Sequence, residues 1–585
     1  MYTRISETTT NVGNSFVTFV STGEGLRPLA VATEYTLNSA AITGNLTANV
    51  RFTATAAITS TPASINSLVL DAATGIALSG SASSMEITSG AILATGAGAH
   101  AISGVSGITT GGSRPYYVYT TTAAGSLTLT TPLTTAQPLV KSGAGALILG
   151  SASNAFTDIH FNQGSVQADA LDKLGAGALN FFGGTLRFAA AFDPSASGKV
   201  VTFGTGGGTF NTNAFNVVVA NSIGNAGTGG FTKAGNGNLT LRASASYGGG
   251  TLVSGGRLVA GGGADNRLPV GTLLSLTGTG ALQLGDANGK ADQTVAELSS
   301  ATGAMAIVGG NGTASILTVN QATSTTFGGV LGGAGANEKN IVLVKSGVGT
   351  LVLTGASTHT GGTTVNGGTL ALSTFNNAVG AVTISAGSIT GTTGKLTAAS
   401  ITGTGTASIS AILDGAGTLT MNGAGGTLTV SGANLYTGAT TVSAGTLVTG
   451  SATAFGTSTI TLSGGTLDLN NLTIANTLVF AGGAITGGTI DASKATFQTG
   501  TIGTKITGTV ALTKATTGLL TLTNAANDYT GGTTISNGTL ALGAINAAPG
   551  ALTISGGTFD LATFDSTPTS VAISSGTIAG STGVL

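Results

Sequence analysis

The chain has no cysteine and no tryptophan, only 4 methionines, 9 prolines and 3 histidines, and just 7% of its 585 residues are charged. Each scarcity excludes something. Without cysteine there is neither a disulfide framework nor a thiolate metal site. Nine prolines, with no three-residue glycine period, exclude a collagen-like helix. The 19 Lys and Arg are scattered and balanced by 20 Asp and Glu, so nucleic acid is not an expected partner. Gly, Ser, Thr or Asn interrupts every apolar stretch, so no run approaches the ~20 residues of a spanning helix, and no membrane insertion by this segment is expected. Met1 to Thr10 is polar and lacks the apolar core of a secretory signal.

What is abundant is glycine, at 98 residues, together with threonine, serine and alanine. The chain is 41% apolar with a mean hydropathy of +0.41, which excludes a disordered polar chain. Such a composition suits an exported chain exposed to proteases. Short segments such as Thr350-Leu-Val-Leu-Thr and Leu552-Thr-Ile-Ser alternate small polar with branched apolar residues at period two, which predicts strands. Asn366-Gly367 and Asn537-Gly538 punctuate them as turns. No sustained helical period occurs.

Internal repetition sets the higher order. Lys345-Ser-Gly-Val-Gly-Thr-Leu-Val-Leu-Thr-Gly leads to His359-Thr-Gly-Gly-Thr-Thr-Val-Asn-Gly-Gly-Thr-Leu, and Lys514 leads in the same way to Tyr529-Thr-Gly-Gly-Thr-Thr-Ile-Ser-Asn-Gly-Thr-Leu. Five such blocks lie near 141–188, 233–284, 345–390, 422–469 and 514–561. Equivalent positions recur at a short interval. Thr539, Thr558 and Thr577 are 19 apart, as are Thr369 and Ser388; Thr446 and Thr466 are 20 apart, and Thr185 and Thr209 are 24 apart. A strand-and-turn unit every ~20 residues predicts a parallel β-solenoid with inward Leu, Val and Ile, outward Thr and Ser rows, and glycine at the corners. If every residue joined a coil, the chain would make about 29 coils and a rod of ~140 Å. In the third block Leu351 and Leu353 should face inward and Thr350 and Val352 outward. Residues 1–138 read as a less regular β-rich part of the same rod, and 139–585 as the regular β-helix.

The blocks resemble the autotransporter-associated β-strand repeat, also called the passenger-associated transport repeat. The resemblance rests on Lys-Ser-Gly-x-Gly-Thr-Leu-x-Leu-Thr-Gly, then an Asn and an aromatic, Thr-Gly-Gly-Thr-Thr-Val, and Gly-Thr-Leu. It is strongest at 345–390, 422–469 and 514–561. It implies a right-handed parallel β-helical passenger of a bacterial surface protein, exposed outside the cell, and it brings no catalytic residues. The sequence shows neither a signal peptide nor a terminal membrane barrel, so it reads as part of a longer protein.

Candidate chemistry is sparse. Hydrolysis of a glycosidic bond needs two carboxylates ~5–9.5 Å apart. Asp468 with Asp491, and Asp560 with Asp565, are the available pairs; Asp468 and Asp560 sit at equivalent block positions, which favours a solvated outward side chain. His100, His160 and His359 are far apart and form no ligand or triad spacing. Asp286-Ala-Asn-Gly-Lys-Ala-Asp292 is similar to a calcium loop but lacks its glycine and its final glutamate, so it reads as a turn. Gly206-Gly-Gly and Gly261-Gly-Gly read as corners, not phosphate cradles. No catalytic, cofactor-binding or metal residue is assigned.

One side-chain feature recurs. An aromatic or histidine stands before the turn of each block, at Phe156, Tyr247, His359, Tyr436 and Tyr529, with Asn154, Ser246, Ser357, Asn434 and Asn527 just before it. It could be a periodic sugar-stacking platform, or a plug over a coil corner with the Asn satisfying turn amides; the second reading is favoured. The expected function is a non-catalytic β-helical stalk or adhesin-like passenger. Weak multivalent contacts with glycans or other surface proteins, and self-association, are the expected interactions. A carbohydrate-active β-helix and a self-assembling filament subunit are the alternatives.

Overall fold

A computed structural model describes residues 48–585 apart from 59–62, 81–83, 226 and 302, plus the backbone of three strands, Val17–Ser21, Gly25–Pro28 and Thr36–Leu37. The signal-peptide reading of Met1–Thr10 lies outside the described residues. Among those residues no helix is long and apolar enough to cross a membrane, and the only helical turns are three short 3-10 segments. The rest is strand and turn, wound as a parallel β-solenoid of about 26 turns. The chain divides into two compact units, Met1–Ala291 and Asp292–Leu585.

In the first unit, one column of stacked strands runs from Asn49–Phe52 through Leu139–Ser142 to Val201–Phe203, and a second from Ala56–Ile58 to Leu273–Leu276. In the second unit, 23 strands form one continuous sheet from Gln293–Val295 to Thr577–Ala579. Every strand pair described beyond residue 36 is parallel, because each coil lays its strands on the same strands of the coil before.

The residue spacings of the sequence are the stacking register. Thr539 pairs with Thr558 and Thr558 with Thr577; Thr369 pairs with Ser388, Thr446 with Thr466, and Thr185 with Thr209. Alternation decides the faces. Leu351 and Leu353 are buried while Thr350 and Val352 are half-exposed. Outward hydroxyls stack coil upon coil, with Thr364, Thr383, Thr402, Thr420, Thr441 and Thr461 in successive register. The interior of the first unit carries an aromatic column instead. Phe161 stacks on Phe181 at 4.1 Å, Phe203 lies 5.5 Å from Phe181 and 5.4 Å from Phe231, and Phe231 lies 5.8 Å from Tyr247.

Corners require glycine where two coils approach closely. Gly368 has φ 60°, and a Cβ there would lie 2.6 Å from Gly347 O of the preceding coil. Gly164, Gly256, Gly445 and Gly538 occupy the equivalent corners with φ between 60° and 69°. A side chain at any of them would meet both backbone strain and a carbonyl oxygen.

Each coil contacts its neighbours alone, so a core truncation acts locally. Leu351→Ala is expected to lower stability by ~2–5 kcal/mol, and Val352→Ala, on the outward face, by less than ~1 kcal/mol. Denaturant unfolding of the two variants measures the difference, and equal losses would contradict the assigned faces.

Candidate functional site

The recurring chemistry of the chain collects at the coil corners of the five blocks. The aromatic positions are buried: Phe156, Tyr247, His359, Tyr436 and Tyr529 are each at most 3% exposed. No ring face is open to a sugar, so the stacking-platform reading is excluded and the plug reading holds. The tyrosine hydroxyls turn inward to a threonine four residues on. Tyr247 Oη lies 2.6 Å from Thr251 Oγ1, Tyr436 Oη 2.6 Å from Thr440 Oγ1, and Tyr529 Oη 2.7 Å from Thr533 Oγ1. Thr251 and Thr440 pass the contact on to Thr272 and Ser458 of the next coil, at 2.8 and 2.9 Å. Burial raises the pKa of all three phenols, those of Tyr247 and Tyr529 most, against the lowering effect of the threonine bonds.

The preceding asparagine does more than satisfy its own turn. Asn434 accepts from Leu413 N at 2.8 Å and donates to Ala454 O at 2.6 Å. Asn527 accepts from Ile506 N at 2.9 Å and donates to Ala547 O at 2.7 Å, and Asn154 accepts from Leu133 N and donates to Lys173 O, both at 2.9 Å. One amide thus joins three consecutive coils. In the third block Ser357 accepts from Leu331 N at 3.3 Å, and Asn377 of the next coil accepts from Ser357 N at 3.1 Å.

The first residue of the block, to which the sequence pattern assigns no role, makes the most unusual contact. Lys141, Lys233, Lys345 and Lys514 are fully buried. Lys141 Nζ donates to Ser142 O and Gly143 O at 2.7 Å and to Gln163 O at 3.2 Å. Lys233 donates to Ala234 O, Gly235 O and Gly255 O at 3.0, 2.8 and 2.9 Å. Lys345 donates to Ser346 O, Gly347 O and Gly367 O at 2.8, 3.0 and 3.1 Å. Lys514 bonds the backbone oxygen and the hydroxyl of Thr516. The fourth block has Met421, also buried, at this place. The available signal was phase: in Leu139-Val140-Lys141 the lysine falls on the inward face of the strand.

The proposed carboxylate pairs are not ladder neighbours. Asp468 pairs in register with Thr486, and Asp491 with Thr507. Asp468 accepts from Asn470 N at 2.8 Å, Asp491 from Ser493 N at 2.9 Å, Asp560 from Ala562 N at 2.8 Å, and Asp565 from Val584 N at 2.8 Å. Asp468, Asp491 and Asp560 each cap their own turn, and Asp565 reaches a backbone amide of the next coil. Asp286 likewise accepts from Asn288 N at 2.8 Å and Gly262 N at 3.1 Å, while Asp292 accepts from Ile316 N at 2.8 Å. Among the described residues no group of three or more His, Asp or Glu is placed to hold a metal ion. His100 is buried, with Nδ1 accepting from Ile76 N at 3.2 Å and Nε2 against Thr95 O at 2.8 Å; His160 is half-buried, its ring centroid 5.8 Å from that of Phe182.

The passenger-associated-transport-repeat family model matches residues 139–168, 231–260, 343–372, 425–448 and 512–542. The chain carries five passenger-associated-transport repeats. Four of the matches contain the buried lysine, the plug residue and the strand after the corner glycine, which reads Gly-Ser-Val at 164–166, Gly-Arg-Leu at 256–258 and Gly-Thr-Leu at 368–370 and 538–540; the match at 425–448 begins just past Met421. No curated protein and no solved structure matches the chain. The repeats and the solenoid fit an autotransporter passenger, a family setting that implies a surface or extracellular location.

His359 is the odd plug of the series. Its Nε2 lies 2.8 Å from Thr363 Oγ1, in place of a tyrosine hydroxyl, and a small cavity lined by Leu343, Leu353, Leu370 and Val382 remains beside it. Burial pushes its pKa down to about 4, against a backbone contact at Gly362 that raises it. An unfolded histidine titrates near ~6.5. Between these values the unfolded chain holds a proton that the folded chain does not, so stability is full above pH ~6.5 and falls as pH drops towards 4. His359→Tyr is expected to remove that acid-side loss and to stabilise the coil by ~0.5–2 kcal/mol at neutral pH. Unfolding of both proteins between pH 4 and 7 measures it. A second expectation concerns the coil-joining amide: Asn434→Ala leaves Leu413 N and Ala454 O without partners in the core. It should cost ~1–3 kcal/mol, read by the same denaturant titration.

Proposed function

We propose that this chain is an extracellular β-helical stalk or adhesin-like passenger of an autotransporter-type surface protein, and that it works by presenting a long surface and not by catalysis. The observation that carries this reading is the five repeats, built into the coils of a solenoid, together with the local employment of its carboxylates. Asp468, Asp491, Asp560 and Asp565 each accept a hydrogen bond from a backbone amide of their own turn or of the adjacent loop. General acid and base pairs need environments that push two pKa values apart, and dispersed turn caps do not supply them.

The outward faces support weak, repeated contact. A threonine ladder such as Thr364 to Thr461 offers one hydroxyl and one methyl per coil, with no charge to select a strongly charged ligand. Glycans, neutral protein surfaces and copies of the same chain are the partners that suit such a face. Linked weak contacts gain avidity without any strong single site.

Display of the chain on bacterial cells, followed by adhesion and aggregation assays, tests the surface role: cells carrying it should adhere or clump more than cells without it. The purified chain, screened against plant and bacterial polysaccharides, should release no product. Product release that disappears in Asp468→Asn or Asp491→Asn would replace this reading with that of a carbohydrate-active enzyme.

A further inference from the structure

One concave surface of the first unit lies apart from the plugs and lysines of the repeats. Gly208, Phe231, Thr251 and Leu274 pair in register across four successive coils. One residue earlier, the corner column reads Gly207, Gly230, Gly250 and Leu273. Three coils without a side chain are followed by one that has it, and Leu273, 55% exposed, stands up as an end wall. Gly183, whose amide donates to Gly207 O at 2.8 Å, extends the bare column by one more coil. The result is an open groove of about 400 Å³ that crosses the strands along the stacking direction. From Gly183 to Leu273 it spans four coil steps, ~19 Å.

The backbone demands glycine at only part of this column. A Cβ at Gly207 would lie 2.7 Å from Gly230 O, and one at Gly230 would lie 2.6 Å from Gly250 O. Gly250 has no such constraint: its φ is outside the left-handed region, and the nearest atom to a Cβ would be Leu273 O at 3.2 Å. A side chain there would fill the groove, beside Leu273. The outward column Thr209, Thr232, Leu252 and Ser275 forms one wall, with three hydroxyls and one apolar side chain. The lining residues are all uncharged.

An open aromatic ring stands at the Gly183 end. Phe182 is 46% exposed, where the plug residues are at most 3%. Its ring covers Gly204, whose Cβ would lie 2.6 Å from Phe182 Cδ1, and the next residue, Thr205, already lines the groove. The His160 ring lies 5.8 Å away, tilted by 35°.

This chemistry discriminates between ligands. An anion would find no cation along the lining. An extended peptide needs a free sheet edge, and the strands Gly208–Asn211 and Phe231–Ala234 are each paired on both sides. A neutral sugar has an apolar ring face for an aromatic and a rim of hydroxyls for Thr and Ser. We infer that this groove binds a neutral linear polysaccharide laid along the stacking direction, with one sugar ring on Phe182 and the following rings over the bare glycine corners, beside Thr209, Thr232 and Ser275. The inference rests on the surface-contact reading above and gives it a place and a ligand class.

Calorimetric titration of the intact chain with cellohexaose, mannohexaose and maltohexaose tests it. At least one should bind. Phe182→Ala and Gly250→Val should each weaken that binding by about fivefold or more. Phe375→Ala, which removes a 37% exposed ring of the second unit, should leave it unchanged. Should Gly250→Val fail to fold, Phe182→Ala decides alone, because its ring lies outside the core. Binding that is indifferent to Phe182→Ala, binding of polygalacturonate in place of the neutral sugars, or no binding of the three at millimolar concentration overturns the groove site. The surface role fails separately: it falls if displaying cells neither adhere nor clump, and it stands if they do so while the groove binds no sugar.

Discussion

A stacked coil must turn its corners with some carbonyl oxygens pointing inward, and each inward oxygen needs a donor. The strands themselves present no such difficulty, because the ladder consumes their amides and carbonyls coil by coil. The corners are therefore where side-chain identity matters most. The chain answers with whatever donor fits: lysine at Lys141, Lys233 and Lys345, a glutamine at Gln321 whose Nε2 donates to Thr323 O at 3.0 Å, a threonine at Thr212 whose hydroxyl donates to Gly237 O at 3.1 Å. The asparagines at 154, 434 and 527 solve the opposite corner with one amide that both donates and accepts. The passenger repeat, in these terms, is a pair of solved corners joined by short strands.

Much of this architecture is legible in the sequence because a solenoid writes its register linearly. A spacing of 19 between Thr539 and Thr558 is also a lateral neighbour relation, and the period-two alternation of Thr350-Leu-Val-Leu assigns faces without any tertiary knowledge. The aromatic plug was harder. Tyr436 and Tyr529 lie in turns, where period two carries no information about which way a ring points; the constant tie of the aromatic to the turn favours the plug, and burial decides it.

The lysines stayed hidden for a different reason. Their residue type argues for water while their phase argues for the core, and residue type ordinarily wins because an uncompensated buried charge is costly. Here phase prevails, since an ammonium with three carbonyl oxygens retains the hydrogen bonds that water gave it. The long stem lets the rest of the side chain behave as a core residue, as snorkelling lysines do at other boundaries. The carboxylates have no such option: inward carbonyls can only repel them, and Asp468, Asp491 and Asp560 remain at turns where backbone amides point outward.

This difference explains how so weakly charged a chain distributes its charges. In Ile341-Val-Leu-Val the strand is a run of branched apolar residues with high strand propensity, and Lys345 stands immediately after it. In the unfolded chain a charge beside such a run opposes association with other strands. In the folded chain the same group closes the corner and leaves the water. A methionine, Met421, is buried at the same place in the fourth repeat, beside Thr418-Leu-Thr-Met, where threonines already interrupt the apolar run. Where apolar residues run up to the corner, as at Lys345 and Lys141, lysine therefore meets two constraints at once; before Lys233 and Lys514 a threonine interrupts the strand as it does before Met421, and there the corner oxygens alone account for the lysine.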